Sequence, residues 1–417
     1  MSTTEIASKK TKYILLTNGD SYVGRTLAIY IADQLMKREG QLKKYWRLRV
    51  LCEDKNTIKD LEKRGIEVVE VDYESQSMLR DAMKINIKAL ICNPFTSTDR
   101  LIHRGKNLID AAIHEKVKRI LMLSMMGCSN NQDSESPMGK FSEVESYLRD
   151  RYKYGAWAIF RIPLIQQFMH FWSSMIENKS VIGLPMSESD YLVTVNIMDV
   201  CECVCQAALS KKCSVWASQR ESTNSGSGSS SDYEEETIAA AEVVTRTAIK
   251  RVYELTCAVP GSLYLFSKAL SDAVRKDGFD TDVEATIITD EQLESYLKFV
   301  SGEKKNEIES LLSTVIPDTG LKSKKESSET GLLKGLKGLF SGDKSKYSTY
   351  NQDDPNWHPA PEYLNPFCIE LILNHFRNAR SPDMPNMPSS DICDITGRAP
   401  IEISEFFMEN RRQFRPE

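Results

Sequence analysis

Through the first half of the chain, short apolar runs alternate with stretches whose apolar residues recur at helical spacing. Residues 13–17 form the first run, and Val23, Leu27, Ile31 and Leu35 then fall four apart, one stripe of an amphipathic helix. Further runs predict strands at residues 47–52, 67–71, 89–92, 119–124 and 156–160, with a charged helix from Thr57 between the second and the third. Strands rich in branched apolar residues and separated by helices indicate an α/β fold, a doubly wound, mostly parallel sheet covered on both faces. Beyond Arg161 the alternation fades. Order returns in a strand pattern at 251–255 and a helical run within 361–377.

Two low-complexity segments interrupt the second half. Residues 218–236 are Ser/Gly-rich and then acidic; residues 318–350 are rich in Lys, Ser and Gly. Such compositions bury too little apolar surface to fold, so both read as disordered inserts. The expected organisation is a flexible tail at 1–11, a core at 12–165, and a smaller α/β subdomain at 166–417 interleaved with the core.

The first run leads into Asn18-Gly19-Asp20-Ser21-Tyr22-Val23-Gly24, and a helix follows at once. Strand, tight turn and helix in that order are how a Rossmann unit presents backbone N–H groups to a pyrophosphate. A complete fingerprint carries three glycines. With Gly24 as the last, one spacing puts Gly19 first and a longer spacing puts Asn18 first; Ser21 is the middle residue on both. Asn tolerates a left-handed backbone better than most residues. Thr17, Asn18, Gly19, Ser21, Tyr22, Val23 and Gly24 are therefore the predicted cofactor contacts, with Tyr22 as a lid. The competing reading is a loop that only connects strand to helix.

An acidic residue at the end of the second strand suits ribose hydroxyls, and an arginine there suits a 2′-phosphate. This chain has Glu53 and Asp54, then Lys55. NAD(H) is favoured, and Lys55 is the cation expected to admit NADP(H). Asp72 is placed against adenine, and Asn93 and Pro94 along the cofactor.

Composition narrows the class. A net charge of −5 in 417 residues argues against a nucleic-acid or anionic-membrane surface. No apolar run is long enough to span a bilayer, and the polar N-terminus lacks a secretory signal pattern. Ten scattered cysteines read as reduced thiols of a cytoplasmic or nuclear protein. Cys201, Cys203 and Cys205 lie in a helical pattern and read as small hydrophobes, so no metal site is expected. Residues 332–340 mix leucines and lysines near helical spacing. They read either as a surface-docking segment or as a weakly structured loop.

Several segments, taken in order, resemble the NmrA-like family of atypical short-chain dehydrogenases. They are the loop at 17–24, the strand ending in Asp72, the strand ending in Ser124, and Phe160-Arg161-Ile162-Pro163. Tyr253-Glu254-Leu255-Thr256 follows, then Thr396-Gly397-Arg398-Ala399-Pro400 with Glu405, Phe406, Phe407 and Asn410. The resemblance implies a dinucleotide-binding Rossmann domain with a smaller subdomain closing a cleft. It implies either a reductase of small molecules or quinones, or a redox sensor that regulates transcription factors or other proteins without turnover.

Active short-chain dehydrogenases place a Tyr and a Lys four residues apart after the fifth strand, where Lys lowers the Tyr pKa for proton exchange. Ser124 stands at the strand end as required. Four residues before Lys140, however, is Ser136. Lys140 remains an acid–base candidate, against the plainer reading of a solvated lysine. Tyr264 and Lys268 have the right spacing but lie in the C-terminal part. The missing tyrosine favours a dinucleotide sensor over a reductase; a non-binding scaffold acting through its inserts is the third reading.

Overall fold

A computed structural model of the chain describes residues 11–37, 45–94, 100–130, 133–153, 155–210, 212–216, 251–302, 359–381 and 387–416. The segments expected to be low-complexity inserts, the stretch 332–340 and all but the end of the N-terminal tail lie outside the described residues.

The predicted strands form one parallel sheet. They are β1 (Lys12–Leu16), β2 (Trp46–Cys52), β3 (Glu67–Glu70), β4 (Ile87–Cys92), β5 (Arg119–Met125) and β6 (Ala156–Ile162). Arg251–Glu254 joins them along β6. Across the sheet the order is Arg251–Glu254, β6, β5, β4, β1, β2, β3, the Rossmann order with one strand added at its edge. All the pairings are parallel. Chain reversal between β1 and β4 opens a crevice at their carboxyl ends, where open α/β sheets hold ligands.

Burial on both faces explains the unbroken apolar runs. Ile14 and Leu16 pack on one side with Leu27 and Ile31 of α1 (Tyr22–Lys37). Leu15 points the other way, into a cluster with Leu79, Leu108 and Phe141. Those three belong to α3 (Gln76–Met83), α4 (Leu101–His114) and α5 (Pro137–Arg151). The charged helix after β2 is shorter than its pattern, a 3-10 turn at Lys55–Ile58 and α2 at Lys59–Lys63.

A separate apolar cluster fills the second part of the chain. Trp172, Phe266, Tyr296, Phe376 and Phe406 anchor it. Its helices are α6 (Ser173–Lys179), α8 (Leu263–Lys276), α9 (Asp290–Val300), α10 (Pro366–Arg380) and α11 (Ile403–Glu409). Two small parallel pairs, Val181–Leu184 with Glu284–Ile287 and Leu164–Ile165 with Thr194–Val195, were absent from the sequence pattern.

The two parts are tied by α7 (Ile197–Leu209), which packs on α1 and carries buried Cys201, Cys203 and Cys205. Arg398 pairs with Asp199 and Glu202 of α7, each at 2.6 Å. This fixes the C-terminal Thr-Gly-Arg segment to the core.

Candidate functional site: the phosphate loop and its surroundings

β1 delivers Thr17 to the crevice, where its hydroxyl accepts the Asn93 N–H (2.9 Å) and donates to the Asn93 carbonyl (3.2 Å). Asn18 turns the chain with φ 50°, left-handed as the longer spacing requires. Its N–H donates to the Tyr73 hydroxyl (2.7 Å), and its side-chain amide donates to the Asn93 carbonyl (2.6 Å). Ser21 Oγ donates to the Asn18 carbonyl (2.7 Å) and accepts from the Gly24 N–H and the Asn93 amide. Thr17, Asn18, Ser21 and Asn93 thus form one buried network, joined by Tyr73, which the sequence had not singled out.

The glycines are sterically enforced. A Cβ at Gly24 would stand 1.9 Å from the Asn18 carbonyl oxygen. One at Gly19 would stand 2.1 Å from Val50 Cγ1, while the Gly19 N–H donates to Leu51 O (2.9 Å). Replacing glycine by serine at 21 is accommodated because the hydroxyl ties the loop to itself. Tyr22 and Val23 open α1 and are buried. Tyr22 is packed between Phe168, ring centroids 5.7 Å apart, and Tyr363, 5.9 Å apart. Pro94 is buried beyond Asn93.

Just past β2, Glu53 pairs with Arg104 of α4, Oε1 to Nη2 2.7 Å. The expectation that Lys55 is the nearby cation is corrected here. Lys55 pairs with Glu62 at 2.7 Å, and Arg104 stands beside Glu53 instead. Arg104 escaped notice because it comes from a helix two strands later. Asp72 is exposed and caps its own turn by accepting the Glu74 N–H. Asp20 reaches the same place, Oδ2 accepting the Glu53 N–H at 2.9 Å. Burial pushes the Asp20 carboxyl up.

Around Ser124 the structure is closed. Ser124 is fully buried and donates to Glu145 Oε1 (2.6 Å), as does Cys128 (3.1 Å). Arg161 grips both oxygens of Glu145, from Nε (3.0 Å) and Nη2 (2.9 Å), and Arg149 adds 2.6 Å to Oε2. Burial alone would raise the Glu145 carboxyl, but Arg161, Ser124 and Cys128 hold it below the usual range. Burial pushes the Cys128 thiol up to about 12. Ser136, four before Lys140, is the N-cap of α5, its hydroxyl accepting the Gly139 N–H at 3.1 Å. Lys140 sits in the first turn and is half-buried. Tyr264 is 74% exposed on α8, and Lys268 pairs with Asp272, so that spacing serves a helix surface. Among the described residues, no group of three His, Cys, Asp or Glu stands together as a metal site would require.

The NmrA-like family model matches residues 10–224. The chain belongs to the NmrA-like family. No curated protein matches it by sequence. Solved structures with the same fold include Citrobacter sp. triphenylmethane reductase complexed with NADP(H), 12% identical with a TM-score of 0.56. That match covers 95% of this chain and 99% of the reductase. The NADPH-dependent quinone oxidoreductase of Escherichia coli complexed with NADPH is 14% identical, TM-score 0.54, over 96% of this chain and 98% of its own. A nucleoside-diphosphate-sugar epimerase from Staphylococcus aureus is 11% identical, TM-score 0.57, over 95% and 99%. At these identities the likeness establishes the shared fold.

In this NmrA-like chain the predicted cofactor residues fall into two groups. Thr17, Asn18, Gly19, Ser21, Tyr22, Val23, Gly24, Asn93 and Pro94 converge at the carboxyl ends of β1 and β4. Glu53 lies at the end of β2 and Asp72 just past β3. Ser124 lies beyond them, at the end of β5, inside the Glu145 network. A cavity of about 420 Å³ lies elsewhere, lined by Tyr30, Glu202, Cys205, Lys212 and Asp394.

Proposed function

We propose that this NmrA-like protein binds a nicotinamide dinucleotide at the loop of residues 17–24 and works as a sensor or regulatory protein without efficient turnover. The observation that carries binding is the left-handed Asn18 turn, set against Gly24 at the start of α1. That geometry keeps the helix start close to the strand end, where a pyrophosphate is held by N–H groups and the helix dipole. The core at 12–165 would supply the nucleotide site, and the part from 166 onward would close over it through Phe168 and Tyr363.

The reading without turnover rests on the closed Ser124–Glu145–Arg161 network and on Ser136 acting as a cap. A serine whose proton is committed to a buried carboxylate cannot polarise a substrate carbonyl, and no tyrosine precedes Lys140 at the required spacing. NAD(H) is the favoured form. The solved relatives carrying NADP(H) and NADPH keep the phosphorylated form as the alternative. The regulated partner would be a transcription factor or another regulatory protein, met in cytoplasm or nucleus.

A reductase reading is favoured by one observation: structures sharing this fold are named as reductases of triphenylmethane dyes and quinones. Calorimetric titration with NADH and NADPH tests the proposal. Micromolar binding of either, with no oxidation of the bound form by a quinone and aldehyde panel, is the expected result. Absence of heat from both ends it, and rapid oxidation transfers the protein to the reductase reading.

A further inference from the structure

Glu53 occupies the position from which a carboxylate ordinarily meets the adenosine ribose. Here one oxygen of that carboxylate is taken, on a Glu53 side chain that is 43% exposed. Arg104 pairs with it at 2.7 Å, and the Arg104 side chain is only 10% exposed, so the ion pair is anchored in the α4 wall. A second carboxylate stands nearby. Asp20 is the fourth residue of the 17–24 loop, and its Oδ2 accepts the backbone N–H of Glu53. Asp20 therefore spans the two segments between which the adenosine half of a dinucleotide runs, the loop after β1 and the exit of β2.

The surrounding charges sharpen its role. Burial is the largest influence on the Asp20 carboxyl and pushes it up; the backbone N–H groups of Glu53, Asp20 and Asp54 favour its charged form, and the Glu53 carboxylate opposes it. The nearby cations face carboxylates of their own. Arg104 is on Glu53, Arg100 on Glu74, Lys55 on Glu62 and Arg25 on Asp60. Asp72 adds a further carboxylate beyond β3, close enough to act on Arg100. The adenosine end carries more carboxylates than cations, with Asp20 held by backbone donors rather than by a salt bridge.

We propose that Asp20, rather than Glu53, reads the 2′ position of the adenosine ribose and makes the site select NAD(H) over NADP(H). The proposal rests on the dinucleotide reading above. Asp20 Oδ atoms accept hydrogen bonds from ribose hydroxyls, which NAD(H) presents at both the 2′ and 3′ positions. A 2′-phosphate removes one donor and brings a like charge toward the carboxylate. Arg104, by engaging Glu53, withdraws that residue from the ribose.

The test is the ratio of Kd values for NADPH and NADH, from quenching of protein fluorescence, in wild type, Asp20→Asn, Asp20→Ser and Glu53→Gln. Wild type is expected to favour NADH by about tenfold or more, the worth of a charged hydrogen bond. Both Asp20 variants should lose most of that preference, and Glu53→Gln should keep it within about threefold. Thermal melts confirm that each variant is folded; Asp20→Ser covers failure of the asparagine variant. A preference unchanged in the Asp20 variants overturns the proposal while leaving dinucleotide binding intact. A preference lost in Glu53→Gln, or a wild type that favours NADPH, also overturns it. No binding of either nucleotide by folded wild type removes this proposal and the dinucleotide reading together.

Discussion

Two buried polar networks stand at the carboxyl ends of neighbouring strands, and they are built oppositely. The one at β1 and β4 joins Thr17, Asn18, Ser21, Tyr73 and Asn93, and every hydrogen bond in it is between neutral groups. The one at β5 and β6 joins Ser124, Cys128, Glu145 and Arg161 around an ion pair. A neutral network shapes a turn and leaves the start of α1 to meet an anion. A closed ionic network uses up the groups that would otherwise move protons. The loop has lost glycines and kept its conformation; the other site keeps its serine and has sealed it. On the proposed reading, binding and chemistry are separable, because one depends on backbone shape and the other on an uncommitted side chain.

The largest effect should come from breaking the ionic network. Glu145→Ala leaves Arg161 charged, buried and without its main partner. A loss of about 3–5 kcal/mol is expected in urea denaturation. The double replacement Glu145→Met with Arg161→Met should recover much of that loss, since removing both charges avoids the desolvation cost. Equal damage from single and double variants would mean that packing, not charge, dominates there.

In the neutral network the sensitive point is steric. Gly24→Ala places a methyl group 1.9 Å from the Asn18 oxygen, so the turn or the helix start must move. Overpacking of this kind costs about 1–3 kcal/mol. Dinucleotide affinity should fall with it, because the approach of helix to strand is lost. A Gly24→Ala protein that melts lower yet binds NADH as tightly as wild type would separate the loop from the site.

Much of this was legible because parallel strands buried on both faces leave continuous apolar runs. The first six strands stand where those runs place them, and the pattern at 251–255 pairs along β6 as a seventh. Leu164–Ile165 and Thr194–Val195 are too short to show a period, and Glu284–Ile287 is partly exposed on both sides. The Asn18 turn was readable because few residues adopt that backbone. Tyr73 and Asp20 were not, since their partners Asn18 and Glu53 lie 55 and 33 positions away in sequence. Ser124 was placed correctly at its strand end; that its hydroxyl is spoken for depends on Glu145 from the next helix. Lys55 looked like the relevant cation only because sequence distance hides Arg104.

A third buried group tests whether charge closure is what permits ionisation in this interior. His375 on α10 is buried, and burial lowers its pKa to about 3 from 6.5. Its folded form stays neutral while the unfolded chain takes up a proton below about pH 6.5, so stability is full above that pH. It should then fall by about 1.4 kcal/mol per pH unit below about 6.5, levelling only near the folded pKa. Denaturation at pH 7.5 and 5.5, compared with His375→Gln, isolates this share from that of the other titrating groups. An unchanged slope in His375→Gln would place the pH dependence elsewhere and weaken the contrast with the paired Glu145.

The smallest expected effect falls on the residue that a reductase would need most. Lys140 is half-buried in the first turn of α5, four residues after the Ser136 cap. If the protein only holds its dinucleotide, Lys140→Ala should cost no more than about 1 kcal/mol of stability, the centre of the range for single substitutions. It should also leave the NADH dissociation constant within about twofold, since stability and affinity there depend on the loop. The measurement pairs a thermal melt with a titration and with NADH oxidation against a quinone panel. Oxidation present in wild type and absent in Lys140→Ala, with binding and melting unchanged, would show a proton donor working beside a sealed serine. That outcome would join the two networks into one active site and end the separation of binding from chemistry.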